Sequence, residues 1–255
     1  KPKKSLGQNF LVDNNIIRKI IKIANIDKNK TVMEIGAGYG NLTSEIVAAN
    51  PKKIFAIEKD KILFSFLKEK FKNYKNIEII NDDILNIIEN KKLGDNIVVF
   101  GNLPYNISTQ VLTSLVLLKK WPPWYQNLIL MFQKEVADRI LAKTKTKQFN
   151  RLSVLSNWRL EIEKHFDITK NCFFPKPKIN STLLSFKPKK KNIFNLKNPK
   201  NLENVTRVLF SNKRKMINKS FNKLFGINKS VARRLNINLS ARPEELSNEM
   251  YYKIA

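Results

Sequence analysis

Apolar residues along this chain fall into short, dense runs that alternate with stretches of helical period. Asp13 precedes Ile16, Ile17, Ile20 and Ile21, a spacing that predicts a capped helix with one apolar face. Thr31–Ile35 reads as a buried strand, and a glycine loop and a helix from about Leu42 follow it. Ile54–Ile57 predicts a second strand closing on Glu58, with a helix over Lys61–Phe71. Further strands are predicted at Ile77–Ile80, which closes on Asp82 and Asp83, at Ile97–Phe100, and at Leu128–Phe132. The segments Glu161–Ile168 and Ser181–Phe186 would add strands at one edge.

This βαβα order implies a parallel, doubly wound sheet whose ligands gather at the carboxyl ends of its strands. The polar residues Glu58, Asp82, Asp83 and Asn102 all fall at such ends, which places a candidate site there. After Phe186 the pattern changes. Lys187-Pro188-Lys189-Lys190-Lys191 reads as a basic linker, and from Leu202 the positions Val205, Val208 and Leu209 share a helical face. Two domains are therefore expected: residues 1–187, which carry the sheet, and residues 188–255, a small all-helical domain bearing Lys213, Arg214, Lys215, Lys219, Arg233 and Arg234.

Composition narrows the chemistry. With one cysteine, Cys172, and one histidine, His165, the chain can form no internal disulfide, and no metal site is expected. Catalysis built on spare imidazole or thiol groups is excluded as well. The net charge of +27, from 48 Lys and Arg against 21 Asp and Glu, favours a polyanionic partner, most commonly nucleic acid. Codon bias toward Lys, Asn and Ile accounts for part of the lysine content, but not for the failure of acidic residues to balance it. No apolar run approaches the roughly 20 residues that span a membrane. The stretch Lys1–Phe10 lacks a secretory pattern, so a cytoplasmic protein without membrane attachment is expected.

The loop Gly36-Ala37-Gly38-Tyr39-Gly40 follows a strand and opens a helix, where glycine allows a tight turn and close backbone approach to a ligand. Its G-x-G-x-G spacing tilts away from a dinucleotide pyrophosphate. Glu58 is placed to accept the ribose hydroxyls of an adenosyl group, although a carboxylate at a helix start also occurs without a ligand. Asp83 is placed to hydrogen-bond an adenine amino group. Asp82 could do the same or simply cap the next helix. Gly36, Gly38, Glu58 and Asp83 together point to an adenosyl cofactor.

Asn102-Leu103-Pro104-Tyr105 follows a buried strand, where proline and a side-chain amide have little structural reason to sit. An exocyclic adenine amine is a poor nucleophile because its lone pair is delocalised into the ring. The Asn102 side-chain oxygen and the Leu103 carbonyl could accept its two N–H groups, favouring a pyramidal nitrogen, while Tyr105 stacks on the base. No general base is required, since the methylated amine loses its proton to water. The plainer alternative is a turn into a helix from Ile107 capped by Ser108 or Thr109.

With these blocks in view, the chain resembles the small-subunit (16S-type) ribosomal RNA adenine N6-dimethyltransferases over nearly its whole length. The resemblance rests on Gly7-Gln8-Asn9-Phe10-Leu11, Glu34-Ile35-Gly36-Ala37-Gly38, Glu58, Asp83 and Gly101-Asn102-Leu103-Pro104-Tyr105-Asn106-Ile107-Ser108-Thr109, and further on Gln133-Lys134-Glu135-Val136, Arg151-Leu152-Ser153-Val154, Phe173-Phe174-Pro175-Lys176-Pro177-Lys178 and Arg242-Pro243-Glu244-Glu245-Leu246. It implies a Rossmann-like class I methyltransferase domain of α/β class with the small C-terminal helical domain. It implies S-adenosylmethionine as cofactor, held by Asn9, Leu11, Gly36, Gly38, Glu58, Asp83 and Asn102. The catalytic residues it implies are Asn102, Leu103, Pro104, Tyr105 and Phe173, the last sandwiching the flipped adenine, where the residues alone, an aromatic beside prolines, read as core. The implied partner is small-subunit ribosomal RNA within a pre-assembled small subunit, met by a monomer. The implied reaction dimethylates two adjacent adenosines of the 3′-terminal hairpin, with a role in small-subunit biogenesis.

Three other readings share features with this one: a large-subunit resistance methylase, a DNA adenine methyltransferase, and an assembly factor that binds without catalysis. The Phe-x-Pro-x-Pro-Lys and Arg-Pro-Glu-Glu-Leu blocks argue against the first. The absence of a recognisable target-recognition insert argues against the second, and the intact Glu58, Asp83 and Asn102 argue against the third. His165 reads as a surface residue and Cys172 as a small buried filler. Trp121-Pro122-Pro123-Trp124 reads as a loop anchored by its aromatics, with RNA stacking as the alternative.

Overall fold

The computed structural model describes residues 8–90, 93–190, 194–227 and 230–255, and of Asn90 and Tyr105 the backbone alone. The chain begins with a two-residue strand β1 (Phe10–Leu11) and helix α1 (Asn14–Ala24). Alternation follows through β2 (Thr31–Ile35), α2 (Asn41–Ala48), β3 (Lys53–Ile57), α3 (Lys61–Lys70), β4 (Ile77–Ile80) and α4 (Ile84–Asn90). It continues with β5 (Ile97–Gly101), α5 (Tyr105–Val116), β6 (Tyr125–Gln133), α6 (Lys134–Leu141) and α7 (Arg151–Arg159). The remaining elements are β7 (Leu160–Ile168), β8 (Phe173–Phe174), β9 (Ser181–Pro188), α8 (Pro199–Leu209), α9 (Asn218–Phe225), α10 (Ser230–Arg234) and α11 (Asn248–Ile254).

Seven strands form one sheet in the order β4-β3-β2-β5-β6-β9-β7. Strands β2 to β6 pair in parallel, and β9 runs antiparallel to β6. The near-continuous apolar runs expected of doubly covered parallel strands are present: Val32, Ile54, Val99, Phe100 and Leu128 are fully buried. Chain order reverses between β2 and β5, and that switch point opens a crevice at the carboxyl ends of these two strands.

The local signals act as their chemistry predicts. Asp13 caps α1 through hydrogen bonds from the Asn15 and Ile16 amides at 2.9 and 3.1 Å. Ile17 and Ile20 are fully buried, flanked by the partly buried Ile16 and Ile21. Helix α5 departs from the plainer alternative weighed for this segment. It begins at Tyr105 rather than Ile107, because the Pro104 carbonyl accepts the Ile107 and Ser108 amides at 3.0 and 3.1 Å. Ser108 is therefore a buried residue of the first turn and not its cap.

Two compact units emerge. The first comprises residues 1–114, 122–137 and 162–188, and the second comprises 115–121, 138–161 and 189–255. The helical unit is thus larger than the tail expected from residue 188, because α7 packs into it. The Tyr252 hydroxyl donates to the Val154 carbonyl at 3.1 Å. The Trp158 indole donates to the Phe194 carbonyl at 2.9 Å. Leu202, Val205, Leu209, Phe221 and Tyr251 form its interior. Helix α8 starts at Pro199, earlier than expected, and buries Thr206 where Val208 was anticipated.

Within that unit Arg159 is buried, donates to the Leu118 carbonyl at 2.8 Å, and lies over the rings of Trp121 and Trp158. Trp121 therefore has a packing partner, as does Trp124, which meets Tyr125 edge-on in the sheet unit. No helix among the described residues is long and apolar enough to cross a membrane.

Candidate functional site

The crevice at the switch point is a cavity walled by Asn9, Phe10, Gly36, Glu58, Asp82, Asp83, Asn102, Leu103 and Pro104, among others. Four strand ends contribute, β4 among them with Asp82 and Asp83. β2 delivers the glycine loop, β3 delivers Glu58, and β5 delivers Asn102 and Leu103. The loop turns back so that the Gly36 amide donates to the Ile57 carbonyl at 2.9 Å, joining the ends of β2 and β3. Gly36 and Gly38 both have positive φ, at 74° and 60°. Any Cβ on Gly38 would also lie 2.7 Å from the Phe10 ring, so only glycine lets β1 lie this close.

Glu58 is buried and anchored at both oxygens. Oε2 accepts the Gly38 amide at 2.9 Å, and Oε1 accepts the Asp60 amide at 2.8 Å. Burial pushes its carboxyl above the usual range, with the two amide bonds opposing that rise. Each oxygen retains a further lone-pair direction, so the carboxylate can still accept from a ligand.

Asp83 faces the same cavity. Its Oδ2 accepts Lys59 Nζ at 2.8 Å and its Oδ1 accepts the Leu85 amide at 3.0 Å, capping α4. Burial works to raise its carboxyl, but the Lys59 ammonium and the Leu85 amide prevail and hold it below the ordinary value. Asp82 lies beside it, accepting the Asp83 amide and Asn86 Nδ2. The capping bond considered for Asp82 is made instead by Asp83, and both residues line the cavity.

Asn102 has a fixed orientation. Its Nδ2 donates to the Asn9 carbonyl at 2.8 Å. A backbone carbonyl only accepts, so the atom facing Asn9 is the nitrogen and Oδ1 is turned elsewhere. Leu103 is buried, and it lines the cavity together with Pro104. The Tyr105 backbone opens α5, but its ring lies outside the described side chains.

Other sequence-predicted residues occupy different places. Leu11 is 4 % exposed and belongs to the core, while its carbonyl accepts Asn41 Nδ2 at 2.9 Å. Phe173 is also 4 % exposed and packs in the same apolar cluster, not on the cavity wall. Its neighbour Phe174 is 62 % exposed. His165 is half-buried rather than superficial, with Nε2 at 2.8 Å from the Ser185 hydroxyl.

Glu34, in β2 just before the glycine loop, is a residue to which the sequence assigned no role of its own. It is 3 % exposed and accepts the Thr43 hydroxyl, and burial pushes its carboxyl up to about 8. Lys70, which donates to the Tyr39 and Gly40 carbonyls at 2.9 and 3.3 Å, partly offsets that rise. A carboxylate inside an apolar strand was the available signal.

The sequence model of the ribosomal RNA adenine dimethylase family matches residues 1–255. A ribosomal RNA small subunit methyltransferase A from Pelagibacter ubique is 49% identical over 254 residues, covering 100% of this chain and 95% of that protein. The protein of that name from Persephonella marina is 34% identical, covering 100% of this chain and 92% of its own length. Among solved structures, a dimethyladenosine transferase from Plasmodium falciparum superimposes with a TM-score of 0.79 at 26% identity, covering 96% of this chain and 95% of that one. The 23S rRNA methyltransferase ErmE shares the fold, with a TM-score of 0.69 at 20% identity and coverage of 96% and 97%.

Proposed function

Because the chain belongs to the ribosomal RNA adenine dimethylase family, we propose that it methylates N6 of two adjacent adenosines in the 3′-terminal hairpin of small-subunit ribosomal RNA. The methyl donor is S-adenosylmethionine. The substrate is the RNA within a pre-assembled small subunit, met in the cytoplasm by a monomer. The names of the relatives support the ribosomal substrate, and the fixed amide of Asn102 is the observation that carries the chemistry.

The switch-point cavity fits an adenosyl group. Glu58, pinned by the Gly38 and Asp60 amides, offers its remaining lone pairs to ribose hydroxyls, and Asp83 offers acceptor capacity to an adenine amine. Asn9 lies over the cavity, while Leu11 and the glycine loop keep β1 in place. S-adenosylmethionine supplies an electrophilic methyl carbon at this site.

The target amine is the weak partner, and the residues after β5 address that weakness. With Nδ2 committed to Asn9, Asn102 presents Oδ1 as an acceptor, and the Leu103 carbonyl supplies a second. Two acceptors for two N–H groups draw the nitrogen lone pair out of the ring and aim it at the methyl carbon. Pro104 keeps the turn rigid where the chain enters α5. S-adenosylmethionine bound there would give its methyl group to this nitrogen, and the amine would release its proton to water. A second methylation of the same nitrogen starts from one remaining N–H, which one of the two acceptors can hold. The helical unit, with exposed Arg214, Lys215, Arg233 and Arg234, positions the RNA through its phosphates.

Tritiated methyl transfer to isolated small subunits, large subunits and naked DNA tests this reading. Label should enter only the small subunit, in N6-dimethyladenosine. Label in the large subunit or in DNA would overturn the assigned substrate, and no label in any of them would leave binding without catalysis.

A further inference from the structure

Strands β1 and β8 form a separate antiparallel ribbon in which Phe10 faces Phe174 and Leu11 faces Phe173. Directly opposed residues of such a pair project to the same face, and successive residues project to opposite faces. Burial follows that rule. Leu11 and Phe173 enter the core, so Phe10 and Phe174 share the outer face. The Phe10 ring packs against Gly38 and against Tyr39, with 4.7 Å between ring centroids, and it lines the cavity. Phe174 sits across the ribbon from it, outside the cavity wall and 62 % exposed.

A phenylalanine left mostly in water forgoes the free energy of burying its ring, so its position asks for a reason. The other exposed rings of this unit have partners: Phe66 packs on Tyr39 and Tyr74 on Phe71. Among the described residues no ring packs on Phe174. Its loop is nevertheless firmly held. The Val12 amide donates to the Cys172 carbonyl at 2.9 Å, and Pro177 is buried. Asn180 accepts the Lys170 amide at its side chain and the Lys134 amide at its carbonyl, both at 3.0 Å. Between these anchors Lys176 and Lys178 are exposed. A rigid aromatic face flanked by two ammonium groups is the arrangement that stacks a nucleobase and takes its phosphates at little cost in ordering.

We propose that Phe174 is a stacking platform for the nucleobase next to the target adenosine, with Lys176 and Lys178 on the adjoining phosphates. The inference rests on the RNA substrate class proposed above. It assigns the base on Phe174 to a neighbour because the ring stands outside the cavity that the target amine must enter.

Equilibrium binding of the full chain to three RNA stem-loops tests it. One has two adjacent adenosines in its loop, and the others lack the base immediately 5′ or 3′ of that pair. Phe174→Ala should weaken binding of the intact stem-loop about five- to a hundredfold, and Phe174→Trp should retain it. Removing the base on one side should cost the parent protein the same factor and cost Phe174→Ala nothing.

Equal affinity of parent and Phe174→Ala would overturn the proposal. So would an equal loss by Phe174→Ala on all three RNAs, or no binding by the parent. The readout is binding, so coupling without methyl transfer would leave the platform standing and sink the proposed reaction. Methyl transfer to small subunits without coupling would do the reverse.

Discussion

Asn102 and Asn9, 93 positions apart in sequence, are joined by a 2.8 Å hydrogen bond that fixes which end of the Asn102 amide faces which way. That bond ties the end of β5 to the segment entering β1. It predicts that Asn102→Ala lowers the methylation rate on small subunits by about 10²–10³ while cofactor affinity changes far less. Asn102→Asp should be comparably slow, since a carboxylate has no donor for the Asn9 carbonyl. Single-turnover rates at saturating RNA check both variants, and a normal rate in Asn102→Ala would remove the proposed amine-holding role.

Glu58 should matter to cofactor rather than RNA. Glu58→Ala deletes a charge-assisted acceptor and also releases the Gly38 amide that shapes the loop. The expected loss in S-adenosylmethionine affinity is about ten- to a hundredfold. Calorimetry on a variant whose unfolding transition remains cooperative measures it, and unchanged affinity would place the ribose elsewhere.

Much of this site was legible in the sequence because parallel strands are continuous apolar runs and their ends are abrupt. Thr31–Ile35 and Ile77–Ile80 appear with the expected bounds, and Glu58, Asp83 and Asn102 converge as the topology requires. The β1–β8 ribbon was not legible, since two residues carry no period. The prolines beside it marked Phe173 as a core aromatic, as it is, but only strand pairing decides that Phe174 turns outward. The enlarged helical unit likewise depends on contacts such as Tyr252 to Val154, 98 positions apart.

Glu34 predicts a pH dependence of stability. Its folded value of about 8 lies above the ordinary 4.5, so the folded chain holds a proton that the unfolded chain releases. Its contribution to stability is complete below about pH 4.5 and is lost as pH rises toward 8. For one proton the slope approaches about 1.4 kcal/mol per pH unit. Urea unfolding of the parent and of Glu34→Gln between these limits gives the difference free of other groups. The parent should lose stability relative to Glu34→Gln with rising pH, and parallel curves would show that Glu34 is ionised in the fold.

The last prediction concerns the basic helical unit. Deleting the chain from Leu202 would strip α7 of its partners, including the Tyr252 hydroxyl on Val154, so truncation confounds folding with binding. Arg214, Lys215, Arg233 and Arg234 are exposed, and replacing all four by Gln leaves that interior intact. Every phosphate that is no longer neutralised should flatten the dependence of log affinity on log salt by about 0.7–0.9. If all four reach phosphates, the slope falls by about 3 and small-subunit binding weakens most at low salt. Cofactor affinity should not move, because Glu58 and Asp83 belong to the other unit. Binding of small subunits across a salt series measures the slope directly. An unchanged slope would assign RNA positioning to the lysines of the sheet unit, because a cation removed from a phosphate always leaves fewer counterions to be released on binding.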